Sequence, residues 1–206
     1  TYVMAHLNQP ISIQRALEAG IISIEHGFVL DEPTITMLVE KGAYLSTQLT
    51  GTAADLMELP SLTTENLRKL KIAREEMKDY YTLVKKHKPK QVFAVDAVLM
   101  PRDAMKQQRD HEIWLFSHHF GNLAMLKAAT STAAELLALS GPMTSYHDGS
   151  LGVIKEGAYA DILLVDGNPL EDITVIGGNE RWMDAPMREG GIDTMRIIMK
   201  DGRIYK

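Results

Sequence analysis

The sequence predicts an α/β protein with a parallel sheet, followed by a small β module. From residue 1 to about residue 139, apolar strand-like segments alternate with amphipathic helical segments. This alternation implies parallel strands joined by right-handed crossovers. From residue 150 onward, short apolar segments are separated by glycine-rich turns instead, which is typical of short strands joined by tight turns. We therefore predict two domains, comprising residues 1–145 and 146–206.

Four strands are predicted in the first domain. They span residues 2–6, 21–25, 43–49 and 91–97. The second is apolar almost throughout, as expected of a parallel strand that is covered on both faces.

The helices between these strands are indicated by their ends. Pro10 suits the first turn of one helix, and Asp31 suits the N-cap of the next. A longer helix is predicted from about residue 63 to residue 86, and a helical region from about residue 111 to residue 139. The inner side of the longer helix is expected to carry Leu67, Leu70, Ala73, Met77, Tyr80, Tyr81 and Val84.

The small β module is predicted from three apolar segments and one hairpin. The segments span residues 151–154, 160–165 and 195–200. Asp201 and Gly202 form a turn signal before residues 203–205, which favours a hairpin.

Composition excludes several classes of protein. The 206 residues are 45% hydrophobic and 24% charged, with a net charge of −5, which is ordinary for a globular enzyme and unsuited to nucleic-acid binding. The absence of cysteine excludes disulfides and thiolate metal sites. No apolar run approaches the roughly 20 residues that span a bilayer, so we expect no membrane span in this segment.

Three polar residues lie at or near the predicted ends of strands. They are His6, His26 and Asp96. In β/α barrels, side chains at the carboxyl ends of strands converge on one site, and two imidazoles with a carboxylate suit a zinc-type metal ion. From spacing alone, hydrogen-bonded structural roles for the histidines remain equally open.

The sequence around these residues resembles the amidohydrolase superfamily, in its imidazolonepropionase/prolidase-like branch. The segments VMAH at 3–6, SIEHG at 23–27 and VDA at 95–97 resemble the fifth, sixth and eighth barrel strands of that family. Residues 128–137 resemble the helix that follows strand eight, and residues 151–165 resemble the return into a small β-sandwich. MKDGR at 199–203 resembles the closing hairpin.

The resemblance implies the C-terminal half, strands 5–8, of a TIM (β/α)8 barrel, followed by part of a small β-sandwich domain. A whole barrel takes about 250 residues, and the chain opens inside a predicted strand. We therefore expect it to be part of a longer polypeptide. The missing N-terminal half, on the same or a separate chain, would carry a His-x-His pair and a bridging carboxylated lysine or glutamate.

The resemblance also implies a metal-dependent hydrolase of C–N bonds that acts on a small-molecule amide or a dipeptide-like substrate. His6 and His26 would bind one of one or two divalent metal ions, zinc first among them. Asp96 would bind the other and act as the catalytic general base. The resemblance further implies a homo-oligomer.

Four residues are expected at the substrate. Asn8 replaces the aromatic residue that peptidase-like members carry two places after the strand-five histidine, and Gln48 follows strand seven. Arg102 and His111 flank the loop after strand eight. The family usually has Gly-Thr before the strand-eight aspartate, where this chain has Ala94 and Val95. That departure supports an alternative, a non-catalytic assembly protein that has lost its metal site.

Overall fold

A computed structural model describes residues 1–53, 56–57, 63–97, 101–186, 188 and 190–206 of the chain. These residues form two compact units, Thr1–Ala94 and Val95–Lys206. The sequence-based domain boundary between residues 145 and 146 stays a prediction.

The first unit contains a parallel sheet with helices between its strands. Its described strands are β1 (Met4–Leu7), β2 (Ser23–His26), β3 (Tyr44–Ser46) and β4 (Lys90–Gln91). Its described helices are α1 (Pro10–Glu18), α2 (Glu32–Glu40), α3 (Thr64–Glu76) and α4 (Tyr80–His87), with 3-10 helices at Leu49–Thr52 and Met77–Asp79. Neighbouring strands pair in sequence order and run parallel, which confirms the predicted α/β class.

The core of the first unit joins the sheet to α1 and α2. Ile24 of β2 and Leu45 of β3 are almost fully buried, as are Ile13, Leu17 and Leu38 of the two helices. Burial of each such side chain stabilises the fold by about 1.5–3 kcal/mol relative to leaving it exposed. This packing holds β1, β2 and β3 side by side, so their carboxyl ends meet at one edge of the sheet.

Helix α2 begins at the capping residue that the sequence indicates. The Oδ1 atom of Asp31 accepts a hydrogen bond from the backbone N–H of Thr34 at 2.9 Å. We expect Asp31→Ala to lower the free energy of unfolding by about 1 kcal/mol, measured by urea denaturation. Asp31→Asn, an equally good cap, is the control and should change little; equal losses in both variants would contradict the capping role.

The long helix predicted over residues 63–86 is interrupted. Met77–Asp79 forms a 3-10 turn between α3 and α4. Met77, Tyr80 and Val84 are buried as expected, but α3 has no buried residue. The predicted inner face of α3 is confirmed in part, because Leu67, Leu70 and Ala73 are half-buried whereas its other residues are exposed.

The third and fourth strands are shorter than predicted. Beyond β4, the N–H of Val92 donates to the carbonyl of Leu45 at 3.0 Å. Strand β3 ends at Ser46, and the chain enters a 3-10 helix at Leu49. Strand β3 therefore has no further residues with which a longer fourth strand could pair. The strand predicted over residues 91–97 therefore stops early, and Asp96 follows it in irregular structure.

The second unit contains helices followed by an antiparallel sheet. Its described helices are α5 (Arg102–Phe120), α6 (Asn122–Ala129) and α7 (Ser131–Ala138), with 3-10 helices at Gly141–Met143 and Ile173–Ile176. Its described strands are β5 (Ile162–Val165), β6 (Met195–Lys200) and β7 (Arg203–Ile204), in the sheet order β5-β6-β7. Lys200 pairs with Arg203 across the turn, which confirms the hairpin. Within the part of the chain that the structure describes, no helix has the length and hydrophobicity needed to cross a membrane.

The strand predicted over residues 151–154 was wrong. Residues 151–153 form bends, and Ile154 has no regular structure. Gly152 has a φ of +67°, and a Cβ atom there would lie 2.5 Å from the carbonyl oxygen of Thr130. The close approach of this glycine to the end of α6 imposes a left-handed turn where an extended strand was expected.

Candidate active site

Two of the predicted metal ligands lie together at the carboxyl ends of adjacent strands. The Nδ1 atom of His6 on β1 is 3.0 Å from the Nε2 atom of His26 on β2. The ring centroids are 4.0 Å apart. His6 is exposed and His26 is half-buried. At this distance one nitrogen donates a hydrogen bond to the other, and both imidazoles are accessible from the edge of the sheet.

The backbone of His26 is what brings the two rings together. In the register of the sheet His6 pairs with Glu25, whereas His26 pairs with Leu7. Because side chains alternate along a regular strand, His26 would project from the opposite face to Glu25 and His6. His26 instead has a φ of +70°, a left-handed conformation that costs a non-glycine residue energy. This conformation turns its imidazole towards His6.

Gly27 and Thr47 stabilise the left-handed conformation of His26. Gly27 also has a positive φ, and a Cβ atom there would lie 2.6 Å from Cδ1 of Leu45. Its N–H donates to the carbonyl of Leu7 at 2.8 Å, and the hydroxyl of Thr47 donates to the carbonyl of His26. Sequence reasoning did not identify Thr47 as a positioning residue, since a threonine at a strand end carries no signal of its own.

The register partner of His6 supplies a negative charge to the same sheet. The Oε1 atom of Glu25 accepts a hydrogen bond from the hydroxyl of Ser23 at 2.6 Å. Burial, and secondly the charge of Glu25, raises the pKa of the Tyr2 hydroxyl. The carboxylate of Glu25 is therefore held on its own strand by Ser23.

Asp96, the third predicted ligand, belongs to the second compact unit and is exposed. Its φ is +51°. In that unit the side-chain Nε2 of Gln108, on α5, donates to the carbonyl of Val95 at 2.9 Å, which ties the preceding residue to the helix. Non-glycine residues with positive φ, among those the structure describes, are His26, Lys88, Asp96 and Asp201. Two of the predicted ligands are thus held in a conformation that ordinary side chains avoid, and such strain clusters at functional sites.

The histidine pair suits part of a metal-binding set. Two nitrogens bound to one tetrahedral zinc ion at about 2.0–2.1 Å lie roughly 3.3 Å apart, close to the 3.0 Å between the imidazole nitrogens of His6 and His26. Among the described residues, no group of three or more histidines and carboxylates could hold a metal ion. The pair accordingly fits as two ligands of a set that needs further donors.

Two carboxamides lie beyond the strands on either side of β2. Asn8 directly follows β1, and Gln48 lies two residues after β3. The Oδ1 atom of Asn8 and the Oε1 atom of Gln48 are buried, and neither has a hydrogen-bond partner among the described residues. The Nε2 atom of Gln48 donates to the carbonyl of Ser46 at 3.0 Å. Each residue therefore carries one buried acceptor oxygen that is unpaired within the described part of the chain.

A comparison with known protein families shows which family the chain belongs to. A family model described as "Amidohydrolase family" matches residues 1–192. The chain belongs to the amidohydrolase family. Membership confirms the resemblance of the strand-end segments to that superfamily.

Individual relatives agree with this membership. The amidohydrolase chain is 28% identical over 177 residues to ochratoxinase of Aspergillus niger, covering 84% of the chain and 34% of that enzyme. It is similar to the crystal structure of an amidohydrolase, with 29% identity and a TM-score of 0.76 over 100% of this chain and 44% of the other. It is also similar to the crystal structure of a prolidase complexed with N-methylphosphonate-L-proline, with 27% identity and a TM-score of 0.77. This match covers 100% of this chain and 45% of the prolidase chain. The chain thus spans about a third of the curated relatives it matches and under half of these structures.

The other two residues predicted at the substrate lie on α5 of this amidohydrolase chain. Arg102 is its first residue and is exposed. His111 is 5% exposed. Its imidazole is stacked with the rings of Trp114 and Trp182, whose centroids are 6.0 and 5.6 Å away. Its Nδ1–H donates to the carbonyl of Asn179 at 3.1 Å. The structure gives His111 a packing role; substrate contact by either residue stays a prediction.

Proposed function

We propose that the chain contributes to a metal-dependent hydrolase that cleaves C–N bonds in small-molecule amides or dipeptide-like substrates. The observation that carries this proposal is the contact between His6 and His26, made through a left-handed histidine. An imidazole that serves only packing has no need of such a conformation, since a regular strand would bury or expose it without strain. Family membership supports the same activity.

The proposal assigns roles to three residues. His6 and His26 would hold one divalent ion, zinc first among the candidates, and Asp96 would hold the other. When bound, such an ion lowers the pKa of water and polarises a carbonyl oxygen. As general base, Asp96 would take a proton from the attacking water and pass it to the leaving nitrogen.

The remaining ligands would come from residues that this chain does not include. Its coverage of 34% of ochratoxinase and 44–45% of the two structures supports the view that these relatives contain further residues. On the family resemblance, we assign the chain to the C-terminal half of a TIM barrel with part of a β-sandwich. The N-terminal half, on the same or a separate chain, would complete the barrel and supply the other donors. We include homo-oligomerisation in the proposal on the family resemblance.

Metal removal tests this function. The full-length protein is assayed against a panel of N-acyl amino acids and dipeptides, including proline-containing ones, before and after treatment with a chelator. We expect removal of the metal to lower activity about a hundredfold, because activation of water depends on the ion. Activity should return when Zn²⁺ is added. Metal content is followed by mass spectrometry.

Two outcomes contradict the proposal. Full activity in protein shown to be free of metal excludes metal-dependent catalysis. Failure of the metal-loaded protein to cleave any amide in the panel favours the alternative, an amidohydrolase-like assembly protein.

A further inference from the structure

Gln48 lies beside the backbone of His26 at the carboxyl edge of the sheet. Ser46, two residues earlier, pairs with Glu25 in the sheet register. Thr47 donates its hydroxyl hydrogen bond to the carbonyl of His26. Gln48 follows directly and precedes the 3-10 helix Leu49–Thr52. Its side chain is anchored to the end of β3, the strand that pairs with the β2 strand of His26.

The orientation of the Gln48 carboxamide is determined by its partner. A carbonyl oxygen only accepts hydrogen bonds, so the group that lies 3.0 Å from the carbonyl of Ser46 has to be the amide nitrogen. The oxygen, on the other side of the same carbon, faces away from Ser46. Gln48 therefore presents an acceptor, and an exchange of oxygen and nitrogen would place two acceptors against each other.

This acceptor has no hydrogen-bond partner among the residues that the structure describes. Gln48 is 5% exposed, and its Oε1 atom is buried without a hydrogen bond to any described residue. Leaving a buried acceptor unsatisfied is unfavourable, and such atoms in native proteins call for an explanation in a ligand or a function. Asn8, on the other side of the β2 strand end, repeats the arrangement with its Oδ1 atom. Two such oxygens, one after each of the strands that pair with β2, indicate a ligand that brings N–H donors.

We propose that Gln48 is a specificity-determining residue, whose side-chain oxygen accepts a hydrogen bond from the N–H of the amide being cleaved. The inference rests on the proposed function and narrows its substrate class. Secondary amides carry this N–H, whereas amides alkylated at nitrogen, including those of proline, lack it. A site built to bind an N–H discriminates against an analogue without it, because the acceptor is then left buried and unpaired.

The test compares two substrates that differ by one methyl group. The amide that the full-length protein cleaves fastest is prepared with and without a methyl group on the scissile nitrogen. For the wild type we expect kcat/KM to favour the N–H form by about tenfold or more. Gln48→Met should lower kcat/KM for the N–H form by a similar factor and leave the N-methyl form within about twofold.

Gln14 provides a matched control. Its Nε2 atom donates to the hydroxyl of Thr34 at 2.7 Å, on the helices that cover the sheet. Gln14→Met also removes a carboxamide hydrogen bond, and we expect it to leave the ratio between the two substrates unchanged. Thermal unfolding of both variants shows that they are folded.

The outcomes separate this inference from the proposed function. An active wild type that cleaves both forms equally, or prefers the N-methyl form, overturns the role of Gln48. Equal losses on both substrates in Gln48→Met also overturn it and assign the residue a structural role. A wild type that cleaves no amide overturns the proposed function, and the inference falls with it.

Discussion

Replacing His26 with alanine is expected to lower kcat/KM of the full-length protein by about 10³-fold, a loss of roughly 4 kcal/mol of transition-state stabilisation. The reason is that the imidazole of His26 is one of two nitrogen donors that lie 3.0 Å apart at the proposed metal site. Bound metal, measured by mass spectrometry, should fall with activity. His147→Ala, which removes an exposed histidine of the second unit, should change neither.

His26→Gly separates the role of the side chain from that of the backbone. Glycine adopts positive φ without steric cost, whereas alanine at the +70° of His26 is strained. We expect both variants to be inactive, but the glycine variant to be more stable than the alanine variant by about 1 kcal/mol. Equal stabilities would show that position 26 relaxes out of the left-handed conformation when the imidazole is lost. Normal activity and metal content in His26→Ala would overturn the proposed site.

Asp96→Asn is expected to lower kcat by about 10²- to 10⁴-fold, the range for loss of a general acid–base group. Asparagine preserves the shape of the side chain and tolerates positive φ, so the +51° backbone conformation should persist. The asparagine carboxamide, unlike the aspartate carboxylate, does not act as a general base at neutral pH. We therefore expect metal bound by His6 and His26 to be retained while turnover is lost, which is measured by mass spectrometry and steady-state kinetics on the same sample.

Asp201 is a control matched in both residue type and backbone. It has a φ of +50° in the turn between β6 and β7. Asp201→Asn should leave kcat unchanged, since its carboxylate serves a hairpin and pairs with Lys200 at 3.1 Å. A loss of activity no larger for Asp96→Asn than for Asp201→Asn would contradict a catalytic role for Asp96.

Features encoded by short segments could be predicted from the sequence. Asp31 caps α2, and the Asp201-Gly202 pair turns the hairpin, because caps and turns depend on neighbouring residues. The β-α-β spacing likewise placed His6 and His26 on adjacent parallel strands. These are local or periodic properties, and the amino acids themselves specify them.

Other features depend on packing between segments. The apolar positions of α3 fit a helical pattern but stay partly exposed, because burial depends on what covers them. The left-handed conformation of His26 arises from the fit of Gly27 against Leu45 and the hydroxyl of Thr47. Neither is visible in the order of the residues. The sequence therefore predicted which histidines would meet, and the structure was needed to show how they meet.

The conformation of His26 also has a consequence for how this position changes during evolution. A left-handed backbone favours glycine and asparagine over histidine, so mutations at this site that improve the fold all remove the imidazole. Under the proposed function, selection on catalysis opposes these replacements. We expect glycine or asparagine at the position of His26 in homologues that keep the fold but lack the hydrolase activity.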